Sequence, residues 1–316
     1  MPLGTNNVTA AAVPNFIPQL WSDEIIAAYK ANVTARNLVR VLNHNGKKGN
    51  SIKLPTPTRG DATAKAASTQ VTLIAHGTDT GVTVSINNHY EYSRLIEDFA
   101  DVQALESLRR FYTDDAGYAI GKRVDSDVIL ATAGGTLSYT ISNNTIAYSG
   151  STYPTLYEGD GTTWDVSATI TALTDAGARA HIQRLDDQNV PFANRFILIP
   201  PVVKNTLLGL ARFTENAFTG ESGSGSTLRN GLIGNMYAMP VYVSTQAPII
   251  QTSGAVANQR LCLMFQQDAT VLVEQMGLRV QKQYKQEWLA DLLTADTIYG
   301  TKQLRSTAVV PFVVPA

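Results

Sequence analysis

The chain has 316 residues and a formal net charge of −1, which gives it no bulk attraction to nucleic acid or to an anionic membrane. Charged residues make up 16%, below the usual quarter, and the gap is filled by Thr, Ser, Asn, Gln and Ala, a composition that suits a surface covered by other copies of the chain. The single cysteine, Cys262, excludes an intrachain disulfide framework and a Cys-rich metal site.

Residues 1 to about 18 are small and polar and are broken by Pro14 and Pro18. They read as an extended arm that orders against a partner. Met1-Pro2-Leu3-Gly4-Thr5-Asn6 lacks the basic and apolar regions of a signal peptide, and no apolar run reaches the roughly 18–20 residues of a membrane span. The expectation is a soluble protein made in a cytoplasm. A short helix follows, with Ser22 as N-cap, Asp23 and Glu24 in its first turn, and Ile25, Ile26, Tyr29 and Val33 on one face.

Residues 45–97 read as a long two-stranded excursion. Asn45-Gly46 and Gly49-Asn50 are turn signals, and Ser51-Ile52-Lys53-Leu54 alternates with period two before Pro55 and Pro57. A polar stretch from Thr58 to Gln70 forms the tip, and alternation resumes at Gln70-Val71-Thr72-Leu73 and Gly81-Val82-Thr83-Val84-Ser85-Ile86. A two-stranded ribbon is marginal alone in water, so it needs a surface to lie on, and another copy of the chain is the expected one.

From Asp98 the period becomes helical. Leu105, Leu108, Tyr112, Ala116, Ala119, Val124, Val128 and Ala131 recur at three- to five-residue steps, no proline interrupts them, and Gly134-Gly135 ends the run. About 35 residues make a rod of roughly 50 Å. Gly117 and Gly121 either interrupt it or let a strand cross closely. Residues 136–165 read as a small β insertion, and Thr174 to Gln188 as a second helix. Arg195-Phe196-Ile197-Leu198-Ile199 is a buried strand stopped by Pro200-Pro201, and Val202 to Ala211 is helical. A flexible loop, Gly220-Glu221-Ser222-Gly223-Ser224-Gly225-Ser226, precedes further strands at 238–244 and around Cys262. β-like stretches continue through Thr270-Val271-Leu272-Val273, Leu278-Arg279-Val280 and Thr307-Ala308-Val309-Val310.

None of these segments carries a catalytic constellation. The glycine-serine loop lacks the Gly-Lys-Ser/Thr ending of a phosphate cradle. His44, His76, His89 and His181 have no metal-ligand spacing, and Cys262 lies in the apolar run Leu261-Cys262-Leu263-Met264-Phe265. Asp114-Asp115 and Asp186-Asp187 are adjacent, so on a helix they point about 100° apart and read as solvated faces. The expectation is a protein that is not an enzyme and holds no metal or cofactor.

Charge placement says more. From Lys30 to Ala66 the bases are Lys30, Arg36, Arg40, Lys47, Lys48, Lys53, Arg59 and Lys65 against Asp61 alone. From Ile86 to Asp127 nine acids face five bases; the acids are Glu91, Glu97, Asp98, Asp101, Glu106, Asp114, Asp115, Asp125 and Asp127. A basic excursion beside an acidic rod suggests that one copy's ribbon docks on the next copy's helix, with charge setting the register, the alternatives being a solvated loop or a contact with DNA phosphates.

The order of these elements resembles the major capsid proteins of tailed double-stranded DNA phages, the Hong Kong 97 phage fold. The similarity runs through Arg195-Phe196-Ile197-Leu198-Ile199-Pro200-Pro201 and through the stretch Gly231 to Ser244, a glycine-led segment ending in a strand. It continues in Phe265-Gln266-Gln267-Asp268-Ala269 with Leu278-Arg279-Val280, and in Leu292 to Arg305 as a closing helix or turn before Ala308-Val309-Val310. The resemblance implies an α+β fold. Its parts are an N-terminal arm and short helix (1–44), an extended loop or β-hairpin (45–97), a spine helix of a peripheral domain (98–134), a β insertion (135–165), an axial domain (166–260) and a return to the peripheral sheet (261–316).

It also implies self-assembly into hexamers and pentamers of an icosahedral head that encloses double-stranded DNA without reading its sequence. A separate scaffolding protein, a portal protein and a decoration protein are implied partners, and no membrane is involved. The chain would be a virion component assembled in the host cytoplasm. The intersubunit candidates are Lys47, Lys48, Lys53, Arg59 and Lys65 on the excursion and Asp98, Asp101, Glu106, Asp114 and Asp115 along the helix. Lys65 sits near the position of the family's cross-linking lysine, but no acceptor is assignable and no covalent cross-link is expected. A β-rich, carbohydrate-binding tail or adhesin module explains the Thr/Ser/Asn content but not a long helix between two β regions. A hydrolase lacks its nucleophile elbow, metal cluster and triad.

Overall fold

The computed structural model describes residues 33–56, 60–71, 73, 80–98, 108–134, 137–140, 145–148, 155–165, 170–210, 234–251 and 259–315. The expected N-terminal arm, nearly all of the short helix, the glycine-serine loop, and Arg59, Asp101 and Glu106 lie outside the described residues.

A four-stranded sheet has the order β1 (Arg40–Asn43), β13 (Thr270–Lys285), β14 (Ala290–Gln303) and β4 (Asn88–Glu97). β1 runs parallel to β13, and the other pairs are antiparallel. One face carries helix α1 (Leu108–Ala133). Its residues Ala116, Ile120, Val124 and Val128 recur every fourth position and are buried in the same core as Leu272, Ala295 and Tyr299. The helix ends where Gly134 turns left-handed at φ 77°, its N–H donating to the Leu130 carbonyl at 3.1 Å. Its 26 residues make a rod of about 39 Å. Residues 99–107, where the first turns of the rod were expected, lie outside the described residues. Gly117 and Gly121 do not break the helix. A Cβ at either would stand 3.8 Å from its nearest neighbour, Leu278 or Val33, so ordinary contact rather than close crossing is found there.

The segment Leu292 to Arg305, expected as a closing helix or turn, is strand β14 as far as Gln303, followed by a 3-10 turn at Ser306–Ala308. The physical reason is its period of two. Leu293, Ala295 and Tyr299 are buried on the helix side, and β13 and β4 hydrogen-bond it on both edges.

The second face of this sheet holds the base of the ribbon, β2 (Ser51–Thr56) against β3 (Thr80–Ser85). The ribbon is therefore shorter than residues 45–97. Asn88–Glu97 belongs to the four-stranded sheet, and Val71 and Leu73, expected in a strand, lie outside one.

The remaining strands form a nine-stranded sheet. Its path is β5 (Leu137–Thr140), β6 (Thr145–Tyr148), β11 (Ile249–Gln251), β12 (Gln259–Gln266), β8 (Arg195–Ile199), β10 (Met239–Val243) and β9 (Asn235–Met236). β15 (Val309–Pro315) pairs with the other edge of β12, and β7 (Tyr157–Glu158) pairs with β15. β12, flanked on both edges, has the unbroken apolar run that a fully buried strand needs, and Cys262 is buried in it. The expected β insertion thus includes strands that extend this sheet, through parallel pairing of β6 with β11. Residues 261–316, expected to return to one sheet, serve both. β13 and β14 build the four-stranded sheet, while β12 and β15 build the nine-stranded one.

Two helices flank β8. In α2 (Asp175–Asp187) the Thr174 hydroxyl accepts the Gly177 N–H at 3.0 Å as an N-cap. α3 (Pro201–Leu208) starts with Pro201 in its first turn, where a missing N–H costs nothing.

Candidate functional site: the assembly surfaces

The ribbon is anchored in its own chain before it reaches any other. Pairs Ile52↔Val84 and Leu54↔Val82 share one face of the ribbon. Val84 and Ile86 bury against Val271 and Val273, with Ile52, Leu54 and Ile298 packed around them. This corrects, for the base of the ribbon, the expectation that its surface is another copy of the chain. Its base lies on its own sheet, because every second residue of β2, β3 and β13 presents an apolar side chain to the same layer.

The crossing is tight at Gly300 of β14, where a Cβ would meet the Ser85 carbonyl oxygen at 2.2 Å. Hydrogen bonds to backbone carbonyls close the joint. The Ile86 N–H donates to the Asn50 carbonyl at 2.8 Å, and the Gln275 Nε2 donates to the carbonyls of Lys47 and Gly49 at 3.0 and 2.9 Å. Gly300 and Gln275 were missed in the sequence. A glycine inside a strand pattern is a signal of close backbone approach, and Tyr299-Gly300 carried it.

On this frame Lys47 and Lys48 are exposed on the loop held by Gln275. Lys53 pairs with Thr83 on the ribbon face turned away from the sheet, and Lys65 is exposed in the distal loop. Val71 and Leu73 stand in the same distal stretch, Leu73 with 87% of its surface open. The structure therefore gathers Lys47, Lys48 and Lys53 around the ribbon base and leaves Lys65 beyond it.

The acids of the rod divide differently. Asp114 is exposed on α1. The Asp115 carboxylate accepts the Tyr92 hydroxyl at 2.8 Å, and Asp98 accepts the Tyr284 hydroxyl at 2.7 Å. Asp125 and Asp127 are buried and do not contribute an acidic surface. Asp125 accepts the Arg36 N–H at 2.9 Å and so caps the 3-10 turn Ala35–Leu38. Burial raises its pKa, opposed by backbone hydrogen bonds from Arg36, Thr34 and Ala35.

Asp127 accepts the Tyr299 hydroxyl at 2.7 Å and pairs with Arg123 at 3.2 Å, while Arg123 donates to the Tyr90 hydroxyl at 2.7 Å. Burial raises the pKa of Asp127, and burial with the Asp127 charge raises that of Tyr299. This network ties α1 to β4 and β14. Tyr299→Phe, which leaves Asp127 one donor short, is expected to cost about 1–2 kcal/mol in urea unfolding.

The remaining titratable groups read as structural. His89 pairs with Asp296 at 3.3 Å beside Arg279, which pairs with the same carboxylate at 2.7 Å. Asp186, expected on a solvated face, binds the buried Arg195 at 2.6 Å. Among the described residues no group of three or more His, Cys, Asp or Glu is placed to hold a metal, and no helix is long and apolar enough to cross a membrane. A cavity of about 490 Å³ opens between α1 and β15, lined by Ala133, Tyr157, Arg184, Gln303 and Val310 among others.

The fold now described has known counterparts. A chain from Mycobacterium phage Che8 is 25% identical, with a TM-score of 0.69 over 94% of this chain and 97% of that one. The capsid structure of the cyanophage P-SCSP1u matches with a TM-score of 0.72 and 17% identity, over 98% and 96%. The capsid of Ralstonia phage GP4 matches with a TM-score of 0.68 and 14% identity, over 95% and 96%. A search of curated proteins finds no match. The likenesses span nearly the whole of each chain, so this mixed helix-and-sheet architecture is that of phage capsid structures. The family model described as phage capsid protein matches residues 16–311. With all but the ends of its length inside that match, the chain belongs to the phage capsid protein family, as a structural component of the virion whose copies assemble into the capsid lattice.

Proposed function

We propose that the chain is the major capsid subunit of a tailed phage, built on the Hong Kong 97 fold and closing into hexamers and pentamers of an icosahedral head around double-stranded DNA. The four-stranded sheet with α1 acts as the peripheral domain, the ribbon as the extended loop, and the nine-stranded sheet as the axial domain. The observation that carries this reading is the ribbon. Its base is docked in its own chain, while Lys53, Lys65, Val71 and Leu73 remain open to a neighbour.

Lys47, Lys48, Lys53 and Lys65, with Arg59, reach carboxylates of the next copy. Asp114 is the most accessible partner on α1, and Asp98, Asp101, Glu106 and Asp115 complete the acidic set. Each exposed pair contributes up to about 1 kcal/mol, and repetition around the shell makes the sum large. Scaffolding comes from a separate protein, a portal fills one vertex, and a decoration protein has the outer surface available. Assembly proceeds in the host cytoplasm. With a net charge of −1, the shell confines the genome rather than neutralising it.

Negative-stain microscopy of the purified protein tests the reading. Shells, capsomers or tubes are expected, and a persistent monomer that binds sugar would sink it. The sharper arm is Lys47→Glu with Lys53→Glu. Both side chains are exposed, so the melting temperature is expected to stay within about 2 °C of wild type while shell formation is lost. Normal shells from that variant would refute the docking role of the ribbon.

A further inference from the structure

The loop between α2 and β8 is built to hold one aromatic ring still in water. Arg195, whose side chain is 2% exposed, donates through Nη1 to Asp186 at 2.6 Å, through Nη2 to the Val190 carbonyl at 2.6 Å and through Nε to the Pro191 carbonyl at 2.9 Å. Asn189 and Asn194 take the left-handed turns at either end, at φ 53° and 57°. The Gln267 N–H donates to the Asn194 carbonyl at 3.0 Å, and Arg305 donates to the Gln188 carbonyl at 2.6 Å. On this fixed backbone Phe192 lies with its ring 4.7 Å from the Arg195 guanidinium carbon, yet 79% of the residue is exposed. Exposed phenyl surface adds nothing to the stability of the isolated chain, whereas a rigid aromatic loses little entropy when a partner covers it.

A second aromatic is held at the other end of α2. Tyr237, 40% exposed, and Ala238 sit in the β9–β10 turn at φ 50° and 64°, positions that Asn-Gly ordinarily takes. The Tyr237 hydroxyl donates to Asp175, which also pairs with Arg179 at 3.2 Å. The Phe192 loop hangs on Asp186, eleven residues along the same helix, or roughly 16 Å away. The exposed Asp187 stands at the Phe192 end, in a last helical turn where the macrodipole disfavours acids, and Arg179, with 56% of its side chain exposed beside its partner Asp175, stands at the Tyr237 end.

We propose that the Phe192 loop of one copy packs against the Tyr237 turn of the next, with Asp187 facing the neighbour's Arg179, as a head-to-tail contact between capsid subunits. Two unlike patches at opposite ends of one helix can meet between copies, and a repeated heterologous contact of that kind forms a ring when the rotation from one copy to the next closes. The inference rests on the capsid reading above and adds the residues that join neighbours.

The test uses the full chain in the assembly assay. Phe192→Ala is expected to melt like wild type and to need at least about tenfold more protein to form shells, with Phe192→Leu recovering part of the loss. Phe192→Cys with Tyr237→Cys is expected to give a ladder of disulfide-linked oligomers on oxidation that neither single variant gives. The native Cys262 is buried and does not compete. Phe192→Ala shells at the wild-type concentration, or double-cysteine shells without a ladder, would overturn the contact. If the wild-type chain formed no assemblies, the capsid reading itself would fall, and this contact with it.

Discussion

Gly300→Ala is expected to destabilise the chain by about 3 kcal/mol and to free the ribbon from its seat. The added methyl carbon would lie 2.2 Å from the Ser85 carbonyl oxygen, 3.0 Å from its carbon and 3.1 Å from the Ile86 Cα. All three are backbone atoms, so no side-chain rotation relieves the overlap. β14 cannot retreat, because β13 and β4 hydrogen-bond it on both edges. The ribbon must lift instead and expose Val84 and Ile86, each worth about 1.5–3 kcal/mol when fully buried. Urea unfolding measures the loss, and limited trypsin digestion locates it, with faster cleavage at Lys53 and Lys47. Gly277→Ala is the control. A Cβ there meets nothing within 4 Å, and the stability change is expected to stay within about 0.5 kcal/mol. Wild-type stability and protease resistance in Gly300→Ala would show that the crossing is looser than the geometry states.

Mild acid is expected to weaken the fold through His181. This imidazole is buried, stacks on Phe312 with ring centroids 4.7 Å apart, and donates through Nε2 to the Glu158 carbonyl at 3.0 Å. Its Nδ1 receives an N–H from Arg184 at 3.2 Å, so the neutral ring is fully bonded and a second ring proton would face a guanidinium. Burial first, and the Arg184 charge second, lower its pKa from 6.5 to about 4; the Glu158 carbonyl and Asp160 act in the opposite sense.

The unfolded chain therefore binds this proton near pH 6.5 while the folded chain resists it down to about pH 4. Stability is full above 6.5, falls through that window and levels off below it, a loss of roughly 3 kcal/mol. His181→Gln keeps a donor for Glu158 and removes the titration, so its stability is expected to change far less between pH 7 and pH 4. Asp296 changes stability in acid too. Its pKa is lowered by the hydrogen bond from Arg279, so its contribution disappears as pH drops through the folded value. The difference between the wild-type and His181→Gln curves isolates the histidine. Parallel curves for the two proteins would refute its role.

What could be read from the residues follows from local pattern. Period-two alternation marked the ribbon strands, three- to five-residue steps marked α1, Gly134 marked its end, and the apolar run around Cys262 marked a strand buried on both sides. Pro200-Pro201 closed β8 and opened α3 at the position where proline costs least. The order of those elements was enough to resemble phage capsid proteins, and the family match over residues 16–311 agrees.

Charge counting went less far, because a count along the chain does not see partners. Asp125 and Asp127 added to an apparent acidic rod, yet both are buried, one capping a turn 89 residues away and the other held by Tyr299, 172 residues away. The sequence by itself thus determined most of the elements, their order and the family resemblance, since periodicity, turn residues and proline act within a few residues. Only the tertiary structure decided where the ribbon sits, that β14 is a strand between two others, that residues 261–316 serve both sheets, and which charges stay available to a neighbour. Those outcomes depend on side chains that meet across a hundred residues or more, and no local period encodes which of them will meet.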